Sequence, residues 1–200
     1  MDDLGISAAT SLWTENTDGT WTWHPEPDVP TIYAPFRDCD LLRVHGSFHE
    51  AGHVIAALTI GLGVDSVQLA PSEQGHMFHT VISGDVYRWS DYAACLAAGE
   101  RAASKWLREI GEWTPERAWS IERGAKSDRA NAAKFAARIG EPFDFLAHPW
   151  GGWAQVCSWA DGRLKAHWDR VTALADALMG STSLDAQAVA RITDLPNAST

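Results

Sequence analysis

The segment His49-Glu50-Ala51-Gly52-His53 carries three side chains whose types and spacing suit metal-assisted hydrolysis. Two histidines four residues apart project from one face of a helix, one turn above the other. Their imidazoles can share a single Zn²⁺ at about 2.0–2.1 Å. Glu50 lies beside them, placed to reach a water on the metal rather than the metal itself. Zinc lowers the pKa of such a water toward about 7, and a neighbouring carboxylate takes its proton as it attacks a peptide carbonyl, then passes the proton to the leaving amine. The chemistry expected is therefore peptide-bond hydrolysis with one Zn²⁺ per chain, His49 and His53 as ligands and Glu50 as general base. Ala51, Gly52, Ala56 and Ala57 keep the helix slim beside the metal. A plainer reading stands next to this one: Ser47-x-x-Glu50 fits a capping box, in which Glu50 only closes a helix N-terminus, and the two histidines are surface residues.

Two histidines and a water leave zinc one protein ligand short. Thr59 stands where the third His of the longer metzincin motif would fall. The missing ligand must come from elsewhere in the chain, and its carboxylates, Asp85 and Asp91 among them, are the obvious source.

The elements that position these residues follow from periodicity and turn chemistry. A helix carries 49 to about 60 and ends near Gly61 and Gly63. Strands are expected at 64–70 and 76–82, joined by a loop at 71–75. A long helix at 90–110 has Ser90 as its N-cap, and Thr114-Pro115 opens the next with cap and N1 proline. Further helices are expected at 127–139, closed by Gly140, and near 162–179 and 184–192. Residues 1–40 differ in character. Two alternating Trp-containing runs flank Asn16-Thr17-Asp18-Gly19, which reads as a β-hairpin, and Pro25, Pro27, Pro30 and Pro35 mark an extended connector. The expected fold is α+β and mostly helical: a Trp/Pro-rich arm over 1–40, then one domain over 41–200 with the metal helix, a small sheet or hairpin and a C-terminal helical bundle.

His49-Glu50-Ala51-Gly52-His53-Val54 resembles the HEAGHA helix of the FtsH-type ATP-dependent zinc proteases. In that family a strand pair follows, then a Gly-Arg-Ala-Ala-Glu helix, then a Gly-Ala-Ser-Asn-Asp segment whose last Asp is the third zinc ligand. This chain has the expected strand pair, then Gly99-Glu100-Arg101-Ala102-Ala103-Ser104 and Gly124-Ala125-Lys126-Ser127-Asp128. The resemblance, over about 44–194, implies an endopeptidase with Asp128 as the third ligand. Departures are Glu100 at the Gly directly before the Arg, Ser104 at the Glu and Lys126 at the Ser of these segments. Glu100 as third ligand would instead make the chain similar to metallopeptidases that cut phage-type repressors. The sequence holds no GxxxxGK[ST] phosphate loop. Any unfolding work drawn from ATP is thus expected from a separate ATPase or regulatory partner. A peptidase fold kept as a binding or regulatory module, and a zinc hydrolase acting on other bonds, remain alternatives.

A protein or peptide substrate is expected to add as a strand along 75–82, with His76, Phe78 and His79 as substrate contacts. His76, Phe78 and Thr80 would face one way, and Met77, His79 and Val81 the other. His24, His45, His148 and His167 read as surface or satisfied core residues, and the eleven Trp as packing. Formal net charge is −10 with no Lys/Arg-rich run, which excludes nucleic acid as a partner class. The longest apolar stretch, 54–64, is too short to span a bilayer. Met1-Asp2-Asp3 starts no secretory signal, and Cys39, Cys95 and Cys157, odd in number and far apart, suit reduced buried thiols in a cytoplasmic protein.

Overall fold

Cys39–Thr59 forms a single helix, α1, at the centre of the core. The computed structural model describes residues 11–15, 21–25, 34–36, 39–69, 78–86, 88–140 and 152–200. From His45 to Leu58 every residue except His49 is buried, the signature of a helix enclosed on all sides. This helix begins well before the start expected at 49, because Leu41, Leu42, Val44 and Phe48 continue its packing face N-terminally. Ser47 is consequently mid-helix, and its hydroxyl donates back to the Val44 carbonyl at 2.7 Å. The capping-box reading of Ser47 and Glu50 therefore fails. The helix closes in a Schellman arrangement: Gly61 N–H donates to Leu58 O at 3.1 Å and Leu62 N–H to Ala57 O at 3.1 Å, with Gly61 at φ 81°.

Trp89–Glu109 forms α2, which packs along α1. Its N-cap is Arg88, with no side-chain capping bond, so Ser90 lies inside the first turn rather than capping it. Gly52 sets the closeness of this pair. A Cβ there would stand 2.3 Å from the Ala98 carbonyl oxygen and 2.8 Å from the Ala102 Cβ. Pro115–Gly124 forms α3, opened as expected by Thr114, whose Oγ1 accepts from Arg117 N–H at 3.3 Å. Lys126–Arg138 forms α4, which lies against α2.

The C-terminal region holds two helices, α5 (Gly152–Ala166) and α6 (Trp168–Gly180), where one was expected over 162–179. The break falls at His167, with φ −134° and ψ 26°. It turns Trp168 onto Phe48, ring centroids 5.8 Å apart, while α5 packs on α2 and α6 on α1. No Gly or Pro marks this corner, which tertiary packing alone decides.

Gly63–Gln68 forms β3, the middle of a three-stranded antiparallel sheet ordered β4-β3-β5. His79–Ser83 is β4 and Ser183–Asp185 is β5. Register runs Val64 to Ile82 and Gln68 to His79 on one side, and Gln68 to Ser183 on the other, with an irregularity between Val64 and Ser66. β5 was unexpected: residue 184 reads as the start of a helix, but α7 spans Ala186–Thr193, capped by Asp185 accepting from Ala188 N–H at 2.8 Å. The expected residues 76 and 77 of the β4 strand lie outside the described residues.

At the N-terminus, β1 (Ser11–Glu15) pairs antiparallel with β2 (Trp21–Pro25), the hairpin expected there, and β1 lies against α3. The connector is not extended throughout, since Ala34–Phe36 makes a 3₁₀ turn that seats Phe36 in the core. The architecture is α+β and mostly helical. Among the described residues no helix is long and apolar enough to cross a membrane.

Candidate metal centre

The exposed edge of this assembly opens into a cleft of about 1190 Å³ between α1, α4 and β4. On its floor His49 and His53 present their Nε2 atoms 3.0 Å apart. From α4, Asp128 brings Oδ2 to 3.4 Å from His49 Nε2 and 3.5 Å from His53 Nε2. These three residues form a group able to hold a metal ion. A tetrahedral ion with ligands at about 2.0–2.2 Å spaces them roughly 3.3–3.6 Å apart. The Asp128 oxygen meets both imidazoles at that spacing, and the imidazole nitrogens, at 3.0 Å, sit slightly closer than an ion would hold them, so the donor set fits zinc in chemistry and nearly in spacing.

Two further features suit an ion. The Nδ1–H of His53 donates to the Cys95 carbonyl oxygen at 2.9 Å, which fixes the tautomer that turns the Nε2 lone pair toward the other ligands. Facing them from α2 is Gly99. A Cβ there would lie 2.4 Å from His53 Nε2 and 2.8 Å from His49 Nε2, so the missing side chain leaves the space beside both donors. Glu50 is buried at 4 % exposure, and its Oε2 accepts the Thr80 hydroxyl at 2.5 Å.

The electrostatics are those of a cation site. Burial works to lower the His53 pKa, but the Asp128 carboxylate and its hydrogen bond, with Glu50 and the Cys95 carbonyl, outweigh it and push it from 6.5 up to about 9. Burial works to raise Asp128, and the two imidazoles beside it hold it well below the usual carboxylate range. In the metal-free protein a proton on His53 stands in for the ion. The stability this protonated pair contributes is full below about 6.5 and is lost as pH rises through about 9. Metal uptake at about pH 7.5 is accordingly expected to release about one proton per ion from His53. Calorimetry in buffers of different ionisation enthalpy reads this number directly, and zero release at that pH would contradict the assignment.

The rival carboxylates lie elsewhere. Glu100 turns away from the imidazoles, and its Oε1 accepts from Trp153 Nε1–H at 2.7 Å while Arg129 takes Oε2. A guanidinium and an indole already hold the oxygens that a metal would need. Asp91 pairs with Arg163 and Arg88, and Asp85 is exposed on the cleft wall outside the ligand group.

Phe78 and His79 both line the cleft, whereas His76 lies outside the described residues. Phe78 packs over Gly46, where a Cβ would meet its ring at 2.6 Å, and His79 is exposed. His45 departs from the expected surface or satisfied residue. It is 3 % exposed, neither ring nitrogen has a hydrogen-bond partner among the described residues, and burial, then His49, drives its pKa down to about 3. Its ring lies 4.8 Å from Phe36 and 6.2 Å from His49. Cys95 and Cys157 are free and buried as expected, the Cys95 thiol pushed up to about 12 by burial and by Asp128. Thr80 was missed as a partner of Glu50; its place beside Phe78 on the inward-facing alternation was the available signal.

No family model matches the sequence, and no curated protein matches it.

Proposed function

We propose that this protein is a zinc-dependent endopeptidase of FtsH-like plan, with His49, His53 and Asp128 as ligands and Glu50 as general base. The observation that carries the reading is the convergence of the Asp128 carboxylate from α4 on both imidazoles of α1, with the buried Glu50 alongside. A zinc ion bound there would supply Lewis acidity, polarising a scissile carbonyl and lowering the pKa of water toward about 7.

The chain's own residues do the rest. Thr80 holds Oε2 of Glu50, which leaves Oε1 to accept a proton from the attacking water and deliver it to the leaving nitrogen. Cys95 keeps His53 in one tautomer through its backbone carbonyl. β4 pairs with β3 on one side, and no strand pairs with its other side among the described residues. An extended peptide adding to that edge would present its main chain to Glu50 while asking little of its sequence. Thr80 faces α1 through its bond to Glu50, and His79 and Val81 alternate outward, exposed to such a peptide's side chains.

The zinc-loaded protein is expected to cleave unstructured peptides internally, to stop when the metal is chelated and to resume on zinc addition. Full cleavage by metal-stripped protein defeats the proposal, as does no cleavage of a broad peptide library by zinc-loaded protein.

A further inference from the structure

Glu100 and Arg129 each follow directly on a residue of the metal centre, Gly99 and Asp128, yet neither side chain points into it. Glu100 is buried at 6 % exposure. Its Oε2 accepts from Arg129 Nε at 3.2 Å and from an Arg129 terminal nitrogen at 3.1 Å. Its Oε1 accepts from Trp153 Nε1 at 2.7 Å and from the Cys157 thiol at 3.3 Å. The other terminal nitrogen of Arg129 donates to Glu122 at 2.8 Å, and the guanidinium lies over the Trp153 ring at 5.1 Å. One arginine at the start of α4 is thereby tied to α2, α3 and α5.

The start of α4 needs such an anchor. Its N-cap is Ala125, with no side-chain capping bond, and the turn joins α3 through backbone bonds alone, Ala125 N–H to Ile121 O at 3.0 Å and Arg129 N–H to Ala125 O at 3.1 Å. Asp128 sits in that turn. Successive side chains on a helix point about 100° apart, so fixing Arg129 in rotation and height also fixes where the Asp128 carboxylate points. A buried ion pair is a poor source of stability, since apolar replacements of similar volume often do as well, which makes its geometry the more informative property.

We infer that the Glu100–Arg129 pair is a positioning device for the third metal ligand, holding the first turn of α4 so that Asp128 meets His49 and His53. This rests on the metal-centre reading above. It assigns Glu100 and Arg129 as positioning residues that never touch the ion. It also gives the Glu at position 100 a task distinct from ligation: it recruits the arginine next to the ligand. Trp153 and Cys157 extend the same anchor into α5, so that helix braces the metal centre without lining the cleft.

The test is zinc affinity of the full chain by competition with a chromophoric chelator, alongside the visible spectrum of the Co²⁺-loaded protein, which reports ligand geometry. Two variants are compared with wild type: Glu100→Gln, which keeps shape and removes the charge, and Glu100→Gln/Arg129→Met, which removes both charges. Helix content by circular dichroism identifies which variants fold, and any folded one decides. The expected result is native helix content, zinc binding weaker by about 10-fold or more, and an altered cobalt spectrum. A folded variant with wild-type affinity and spectrum overturns the inference and leaves the pair as packing. If neither variant folds, the pair is required for folding rather than for aim, and the inference falls. Failure of wild type itself to bind zinc would instead defeat the metal-centre reading.

Discussion

Gly99→Ala is expected to leave a folded protein that has lost its metal. Gly99 lies inside α2, where exchanging glycine for alanine ordinarily favours the helix by about 1 kcal/mol. Its cost falls on the site instead, because the new methyl would stand 2.4 Å from His53 Nε2 and 2.8 Å from His49 Nε2. The imidazoles are the movable partners and must swing away from Asp128. The loss in zinc affinity should then be about 10² or more, the upper end of what disturbing a ligand's surroundings produces. Far-UV circular dichroism and the urea midpoint should stay near wild type, which separates this change from general unfolding. Wild-type zinc affinity in this variant would mean that the space beside Gly99 is not where an ion sits.

What could be read in the sequence was the placing of two donors on one helix and the class of the fold. The i, i+4 histidines with Glu50 between them are local, so helical geometry alone puts both imidazoles on one face. Asp128 could be singled out only through resemblance, because nothing in spacing says that the start of α4 comes back across α1. The same lack left Glu100 open as a ligand. Its burial among Arg129, Trp153 and Cys157 depends on three segments that meet only in the fold. Element boundaries failed where local signals were misleading or missing. Gly46 and Ser47 resemble a helix start, yet Gly46 is small to admit Phe78 and Ser47 bonds back into its own helix. At His167 the chain breaks between two helices with no Gly or Pro to announce it. β5 has three residues, too few for a period of two to register. His45 shares the helical face of His49 and His53 at a further four-residue step, and its burial came from Phe36 in an arm whose packing the prolines obscured.

Glu50→Gln carries the largest expected effect on activity. The substitution keeps the size of the side chain and can keep the 2.5 Å hydrogen bond from Thr80, so fold and metal content should survive. What it removes, in the proposed mechanism, is the basic oxygen that accepts a proton from water and returns it to the leaving nitrogen, a contribution of about 10² to 10⁴ in rate. The most direct measurement is therefore kcat/KM on an extended peptide for zinc-loaded wild type and Glu50→Gln, with zinc per chain determined on the same samples. The account predicts about one zinc in each and a rate at least about 10²-fold lower in the variant. Equal turnover at equal zinc content would contradict it, leaving Glu50 a buried structural carboxylate beside the metal site.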